Sequence, residues 1–335
     1  MHALRCRLAV AFWLVAWGAV GAAEPMTELG KAAAALKPGA WTELKTDGYN
    51  RELLGNHDFL VYSDRAAWDP RSEQVLFIGQ DHLKPPPRFI TYSAKTNSWK
   101  AQPTPAWAEP LKWFHAYENN AIDAGKGLFF HHPSASRIVH QYDIAKNSWT
   151  TLPELTGAGT GHGTALEYFP EMKGLVRVLN GTVHFYSEDK KSWSVLKDKL
   201  TMGPYHNVAI YNPAHQCVIL GGGNGSSDLY KLDAAGKFTE LKKAPIGLGI
   251  GQSVLTVDPA SGDLLALHKD GKFLAYHPAA DSWKELPADN LPFALKGSSH
   301  SIVAAPIANH GVTLFFTSAG KGYKVCLYKH AAGKN

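Results

Sequence analysis

The stretch Gly203–Gly223, which reads GPYHNVAIYNPAHQCVILGGG, contains two short apolar runs separated by the turn residues NPAH. The same order of small residue, His or Gln, apolar run, turn and second apolar run returns three times. It is found in GHGTALEYFPEMKGLVRVLNG from Gly161, GQSVLTVDPASGDLLAL from Gly251 and SSHSIVAAPIANHGVTLFF from Ser298. Alternation and β-branched residues predict strands in these runs. The chain is therefore built from an internal repeat.

Two markers give the length of the repeat. An aromatic residue ends a unit at Trp99, Trp149, Trp193, Phe238 and Trp283. A polar residue opens a unit at His57, His115, His162, His206, Gln252 and His300. Between the markers of the fourth unit lie four β-rich runs, HNVAIY, CVILGG, SDLYKL and FTEL. A four-stranded unit of forty-odd residues is typical of a propeller blade.

Six units predict an all-β, six-bladed propeller as a single domain over residues 38–335. The sixth unit stops after its third strand, near KVCLYKH. The run GAWTELKT around Trp41 has the pattern of a fourth strand, so we expect this N-terminal strand to close the ring and to remove an exposed edge. Residues 24–37 are predicted to form a short N-terminal segment, mainly helical.

The repeat resembles the Kelch family in four features. They are the opening His, the glycines Gly221–Gly223 at the end of a second strand, a Tyr in the third strand and a Trp in the fourth. The third-strand tyrosines are Tyr92, Tyr142, Tyr186 and Tyr276. This resemblance covers the chain after its N-terminus and implies a Kelch-type propeller. It implies no particular function, because Kelch propellers serve many.

Residues 1–23 have the pattern of a secretory signal peptide. Arg5 and Arg7 precede an apolar run, and small residues lead to a cleavage site near Ala23. We therefore expect a periplasmic or secreted protein without a membrane span. The chain has 34 Lys and Arg against 29 Asp and Glu, and the basic residues are scattered, which argues against a nucleic-acid partner. Cys217 and Cys326 fall in blades that are not neighbours and are expected to be buried free thiols.

Histidines are predicted to gather on one face of the ring. In a propeller the start of each first strand and the end of each second strand meet on the same face. The first set contains His57, His115, His162, His206 and His300, with Gln252 in the equivalent place, and the second contains His82, His131, His132 and His268. Imidazoles bind transition metals and act as bases near neutral pH. The alternative is that duplicated blades inherited an opening His with a structural role.

Two kinds of chemistry are open on this face. Tyr205 and His206, followed by the glycine run, are similar to a blade of galactose-oxidase-type copper enzymes, which implies His206 and His300 as metal ligands. A polysaccharide lyase needs a Tyr or His base and a cation beside a uronate carboxylate. The chain offers Tyr117 and Tyr205 near His115 and His206, with Arg137 beside His131 and His132.

The favoured interpretation is a propeller that binds a saccharide or glycan at this His- and aromatic-lined face. The predicted binding residues are His57, His131, His132, His162, Arg137, Trp113 and Gln252, and Trp107, Trp113 and Phe114 offer rings for stacking. The alternatives are a sugar-active enzyme (a lyase, an epimerase by analogy with six-bladed sialate mutarotases, or a copper-dependent oxidase) and a protein-interaction scaffold. No cofactor is required, or one transition metal ion is bound. A closed ring has no free edges, so a monomer is expected.

Overall fold

The computed structural model describes residues 26–48, 60, 62–79, 86–111, 115–157, 159–293, 301–318 and 323–331. Within them the chain forms six four-stranded antiparallel sheets, which makes it a six-bladed propeller. Blade 1 contains β2 (Ala67–Asp69), β3 (Gln74–Gly79), β4 (Arg88–Ser93) and β5 (Ser98–Ala101). Blade 2 contains β6 (Asn120–Asp123), β7 (Leu128–His131), β8 (His140–Asp143) and β9 (Ser148–Thr151).

The remaining blades follow in chain order. Blade 3 contains β10 (Ala165–Phe169), β11 (Gly174–Leu179), β12 (Thr182–Ser187) and β13 (Ser192–Lys197). Blade 4 contains β14 (Val208–Asn212), β15 (Cys217–Gly221), β16 (Leu229–Asp233) and β17 (Phe238–Leu241). Blade 5 contains β18 (Ser253–Val257), β19 (Leu264–His268), β20 (Phe273–His277) and β21 (Ser282–Leu286). Blade 6 contains β22 (Ile302–Ile307), β23 (Val312–Thr317) and β24 (Lys324–Tyr328).

The N-terminal part supplies one helix and one strand. Helix α1 (Glu28–Ala35) begins after Thr27, whose Oγ1 accepts a hydrogen bond of 3.1 Å from the backbone N–H of Gly30. Strand β1 (Trp41–Glu43) pairs antiparallel with β24 and is the outer strand of the sheet formed by blade 6. The run around Trp41 is thus a fourth strand in that sheet.

The first strand of each blade lies innermost, and backbone hydrogen bonds join neighbouring inner segments. The N–H of Leu166 in blade 3 donates to Glu118 O at 2.9 Å, just ahead of blade 2. The N–H of Ala66 donates to Ala304 O of blade 6 at 3.0 Å, which links the last blade to the first. The inner strands therefore surround a central channel.

The outer halves of the blades repeat one arrangement. The third-strand Tyr lies directly opposite the fourth-strand Trp in four blades, with ring centroids 5.0–5.4 Å apart. These pairs are Tyr92–Trp99, Tyr142–Trp149, Tyr186–Trp193 and Tyr276–Trp283. Blade 4 has Leu232 opposite Phe238 instead. Cross-strand aromatic pairs stabilise a sheet, so this repeat explains why the outer strands form in register.

In three blades a Trp side chain also ties the blade to the segment that precedes it. The indole N–H of Trp193 donates to Pro153 O at 3.0 Å, and that of Trp283 donates to Lys242 O at 3.2 Å. In blade 1 the corresponding indole, of Trp99, donates to Thr46 Oγ1 at 3.1 Å. Thr46 lies just after β1. The chain therefore runs from β1 into blade 1 as it runs from the outer strand of one blade into the next blade elsewhere.

Six hydrophobic clusters fill the spaces between neighbouring blades, one for each interface. Each sheet therefore buries both faces. Cys217 and Cys326 are buried and free, as the sequence predicted. Among the described residues no helix has the length and apolar character needed to cross a membrane.

Candidate functional site

The channel has two ends with different chemistry. We call the end where the chain leads into the inner strands the upper face, and the end where inner strands turn into second strands the lower face. Residues with a left-handed backbone occur on the upper face just ahead of inner strands, including Tyr62 (φ 57°), Tyr117 (φ 45°), His206 (φ 64°) and Ser301 (φ 74°). Such conformations are uncommon outside glycine and often lie at functional sites.

The opening histidines do not occupy one equivalent position. His206 lies two residues before β14, His162 three residues before β10, and His115 five residues before β6. Gln252 lies directly before β18. The sequence predicted that these residues occupy equivalent positions at the starts of the inner strands. In the structure they lie at different distances from those starts, because the segments that lead into the inner strands differ in length.

Five side chains on the upper face form a cluster that we call the aromatic mouth: Tyr62, His115, Tyr117, Tyr205 and His206. Tyr62 stacks on His115 with ring centroids 4.6 Å apart and planes 13° from parallel. His115 Nδ1 and the Tyr117 hydroxyl are hydrogen-bonded. The ring centroids of Tyr117 and His206 are 5.0 Å apart, and those of His206 and Tyr205 are 4.6 Å apart. The rings come from blades 1, 2 and 4, so the cluster reaches across the channel.

Exposure differs strongly within the aromatic mouth. Tyr117 is 3% exposed and His115 9%, whereas Tyr205 is 45% exposed. Burial raises the pKa of Tyr117, and the neighbouring Tyr62 and Tyr205 raise it further. Tyr117 is therefore a neutral hydrogen-bonding group at physiological pH, and Tyr205 is the ring that the cluster presents to solvent.

His131 and His132 lie at the end of β7, as predicted, but both side chains are fully buried. His131 Nδ1 bonds to Asn120 Oδ1 at 2.8 Å, and His132 bonds to Thr164 Oγ1 at 3.1 Å. Burial lowers the pKa of each histidine well below its ordinary value. The neighbouring His132 and His140 add to the shift of His131, and the Arg177 guanidinium adds to that of His132. These neutral imidazoles hold blades together and do not face an open site.

Asn120 shows what His131 supports. Its Nδ2 donates to Arg65 O at 2.9 Å, and its Oδ1 accepts from the N–H of Ile78 at 3.3 Å, so it joins blade 2 to blade 1. His140 of β8 pairs directly with His131 of β7. The Trp107 ring stacks on the His140 ring with centroids 4.3 Å apart. Trp107 therefore packs between blade and linker.

The other predicted site residues are dispersed. His162 is exposed and its Nδ1 lies 3.1 Å from Ser134 Oγ. Arg137 is about half exposed and makes an ion pair of 3.6 Å with Glu154, so its guanidinium faces the surface rather than His131 and His132. Five predicted residues lie outside the described residues: His57, His82, Trp113, Phe114 and His300.

Below the aromatic mouth, charged side chains that the sequence analysis missed fill the channel. Arg65 of blade 1 forms an ion pair with Glu167 of blade 3 and donates to the backbone O of Ala209 in blade 4. Its Nη1 is also 3.9 Å from a Glu118 carboxylate oxygen. The feature of the sequence that could have revealed them is a charged residue inside an apolar first strand, as in LEYF around Glu167.

Two carboxyl groups of the channel lack hydrogen bonds. Both oxygens of Asp64 and both of Glu118 are buried without a hydrogen-bond partner among the described residues. Burial raises the pKa of Glu118 to about 7, with Arg65 opposing the shift and Glu167 adding to it. Burial and Glu118 raise the pKa of Asp64. The single guanidinium does not neutralise three carboxylates, so protons are retained near neutral pH.

The lower face holds a cavity of about 290 Å³ at the end of the channel. Arg65 and Glu167 line its inner end. Prolines from five blades surround its opening: Pro70, Pro170, Pro213, Pro259 and Pro306. Proline fixes φ, so the backbone of this rim is restrained at five points. Among the described residues, no three of His, Cys, Asp and Glu are grouped to hold a metal ion.

No protein-family model matches the chain, and no curated protein matches it. Among solved structures, a structural-genomics protein of unknown function from Bacteroides thetaiotaomicron VPI-5482 is similar with a TM-score of 0.60 and 13% identity, over 86% of this chain and 75% of that chain. A chain of a nidogen/laminin complex matches with a TM-score of 0.49 and 14% identity, over 67% of this chain and 78% of that one. At such identities the likeness to the Bacteroides protein shows the propeller fold alone.

Proposed function

We propose that this chain is an exported propeller that binds a saccharide or glycan at the aromatic mouth. The observation that carries the proposal is the half-exposed ring of Tyr205, held beside His206 and the buried Tyr117. A sugar ring has an apolar C–H face and a polar rim. An exposed aromatic ring with hydroxyl and imidazole groups beside it matches both.

The cluster is preorganised for such a ligand. Tyr117 is fixed by its hydrogen bond to His115, and His115 is fixed by stacking on Tyr62. Gly163 allows the close approach of His206, since a Cβ at Gly163 would lie 2.3 Å from the His206 backbone nitrogen. Groups already held in place lose little conformational entropy on binding, which favours affinity.

A sugar-transforming enzyme on the same mouth is the second candidate. The His115–Tyr117 hydrogen bond favours it, because a tyrosine with an imidazole partner can relay a proton. The raised pKa of Tyr117 keeps that hydroxyl protonated at neutral pH, so it can donate a hydrogen bond but is not poised as a base. A lyase would need a cation beside the base, and Arg137 is paired with Glu154 instead. Binding without chemistry is therefore the proposal that we retain.

We also assign the chain to the Kelch type of propeller, with its ring closed by β1. The Tyr–Trp pairs of the outer strands and the run Gly221–Gly223 support the first assignment. The pairing of Trp41 with Tyr328 supports the second. Export with cleavage near Ala23, and a monomeric state, complete the proposal and rest on the N-terminal sequence and on the absence of free edges in a closed ring.

A glycan array probed with the purified chain tests the proposal. We expect retention of a defined set of glycans, and loss of that signal in Tyr205→Ala. The matched control is Ile138→Ala, which truncates another exposed apolar side chain, 36% exposed and outside the aromatic mouth. A wild-type chain that retains no glycan, or a Tyr205→Ala variant with an unchanged profile, contradicts the proposal.

A further inference from the structure

Arg177 is a buried cation that makes no ion pair with any of the described residues. It lies in the middle of β11 and is 1% exposed. Its Nη2 donates to the backbone O of Gly159 at 3.1 Å, while its Nε and Nη1 have no hydrogen-bond partner among the described residues. Buried charges in proteins are normally paired because desolvation is costly. An unpaired guanidinium at this depth therefore points to a ligand that supplies the negative charge.

The neighbours of Arg177 do not supply that charge. His184 lies directly opposite Arg177 on β12, and its Nδ1 is buried without a partner. Burial and the Arg177 guanidinium lower the pKa of His184 to about 4, with Asp198 opposing the shift, so the imidazole is neutral. Burial lowers the pKa of Arg177 to about 10, which still leaves it charged at neutral pH. Two side chains with polar atoms that lack partners among the described residues thus lie side by side.

Both side chains line a cavity of about 340 Å³ on blade 3. Asn180 and Thr182, at the β11–β12 turn, and Asp198, after β13, line it as well. The Thr182 hydroxyl donates to Asp198 Oδ1 at 2.7 Å. The cavity therefore combines a cationic group with a set of hydrogen-bonding groups.

We propose that this cavity binds a small hydroxylated carboxylate, such as a sugar acid, with the carboxylate on Arg177 and His184 and the hydroxyl groups toward Asn180 and Asp198. A guanidinium matches the geometry of a carboxylate. Asp198 accepts hydrogen bonds from hydroxyls. Because its negative charge repels a bound anion, a ligand with a single negative charge is favoured over a doubly charged phosphate. The cavity is lined by residues other than those of the aromatic mouth, so this inference does not depend on the proposed function.

Calorimetric titration with sodium D-glucuronate tests the inference, with D-glucose as the neutral match and sodium chloride held constant. The wild-type chain is expected to bind glucuronate and not glucose. Arg177→Gln is expected to weaken glucuronate binding at least tenfold. Arg137→Gln, which removes a surface guanidinium, and Tyr205→Ala are expected to leave it unchanged. Absent wild-type binding, equal binding of glucose, or unchanged binding in Arg177→Gln overturns the inference.

A surface pair of variants covers the case in which Arg177→Gln does not fold. Val195 lines the cavity and is 58% exposed, so its replacement leaves the core intact. Val195→Glu is expected to weaken glucuronate binding about threefold through repulsion, and Val195→Lys to strengthen it by a similar factor. Equal affinities of these two variants overturn the inference. The inference is also overturned if Tyr205→Ala is the variant that loses glucuronate binding while the cavity variants keep it, since glucuronate would then occupy the aromatic mouth.

Discussion

The outer and inner halves of the blades follow different patterns, and the contrast separates fold from function. The outer halves repeat: Tyr92 and Trp99 of blade 1 meet as Tyr276 and Trp283 do in blade 5. The inner strands share one backbone pattern, but the side chains that face the channel do not repeat. Arg65 in blade 1 has no counterpart in the strands that it contacts, where Glu167 and the backbone of Ala209 receive it. The repeated pairs stabilise the blades that contain them, and the side chains that do not repeat are those that fill the channel.

The largest effect is expected from breaking the repeated half. Tyr92 is fully buried, so Tyr92→Ala should lower the free energy of unfolding by about 3–5 kcal/mol. Tyr92→Phe removes only the hydrogen bond from its hydroxyl to Asn97 Oδ1, which is worth about 1 kcal/mol. Urea denaturation measures both. Equal losses in the two variants would show that the ring contributes nothing to the blade.

A pH-dependent effect is expected in the inner half. Because the pKa of Glu118 is raised to about 7, its contribution to stability is fully present below the unfolded value near 4.5 and is lost as the pH rises through 7. Glu118→Gln removes that titration. Relative to wild type, the variant should gain about 2 kcal/mol between pH 5 and pH 8.

The control for this change is Glu285→Gln, which alters an exposed carboxylate on β21. Urea denaturation of the wild type, Glu118→Gln and Glu285→Gln at pH 5 and pH 8 provides the comparison. A stability difference between Glu118→Gln and wild type that does not grow with pH would show that Glu118 is ionised throughout the range.

A smaller loss of stability is expected from a histidine that the sequence placed in the binding site. His131→Ala removes the hydrogen bond to Asn120 and the contact with Trp107, at a cost of about 2 kcal/mol. Glycan retention per folded molecule should be unchanged. Thermal unfolding alongside the array separates the two roles, and a specific loss of retention at full stability would return His131 to the site.

The sequence predicted the repeated half well because its signal is local. Trp99 and Trp149 each follow a Tyr seven residues earlier, and this spacing places the two rings opposite each other across a tight turn. The blade count, the free thiols and a strand around Trp41 followed from the same period.

The inner half was predicted poorly because its contacts cross the ring. The pairing of Arg65 with Glu167 depends on which side chains point into one channel, and 102 residues separate them. Arg177 was missed because a lone Arg in GLVRVLNG is indistinguishable from a surface residue in sequence. His131 and His132 were assigned to an open face because position along a strand does not reveal burial.

The central claim is that the ring of Tyr205 receives a saccharide, and the calorimetric affinity of an array-identified glycan for three variants tests it most directly. Tyr205→Trp keeps a ring and should retain affinity within about threefold. Tyr205→Ala should lose at least tenfold, about 1.4 kcal/mol, with unfolding free energy changed by less than about 0.5 kcal/mol. Ile138→Ala should match the wild type. Equal affinities of Tyr205→Ala and Tyr205→Trp would contradict the account.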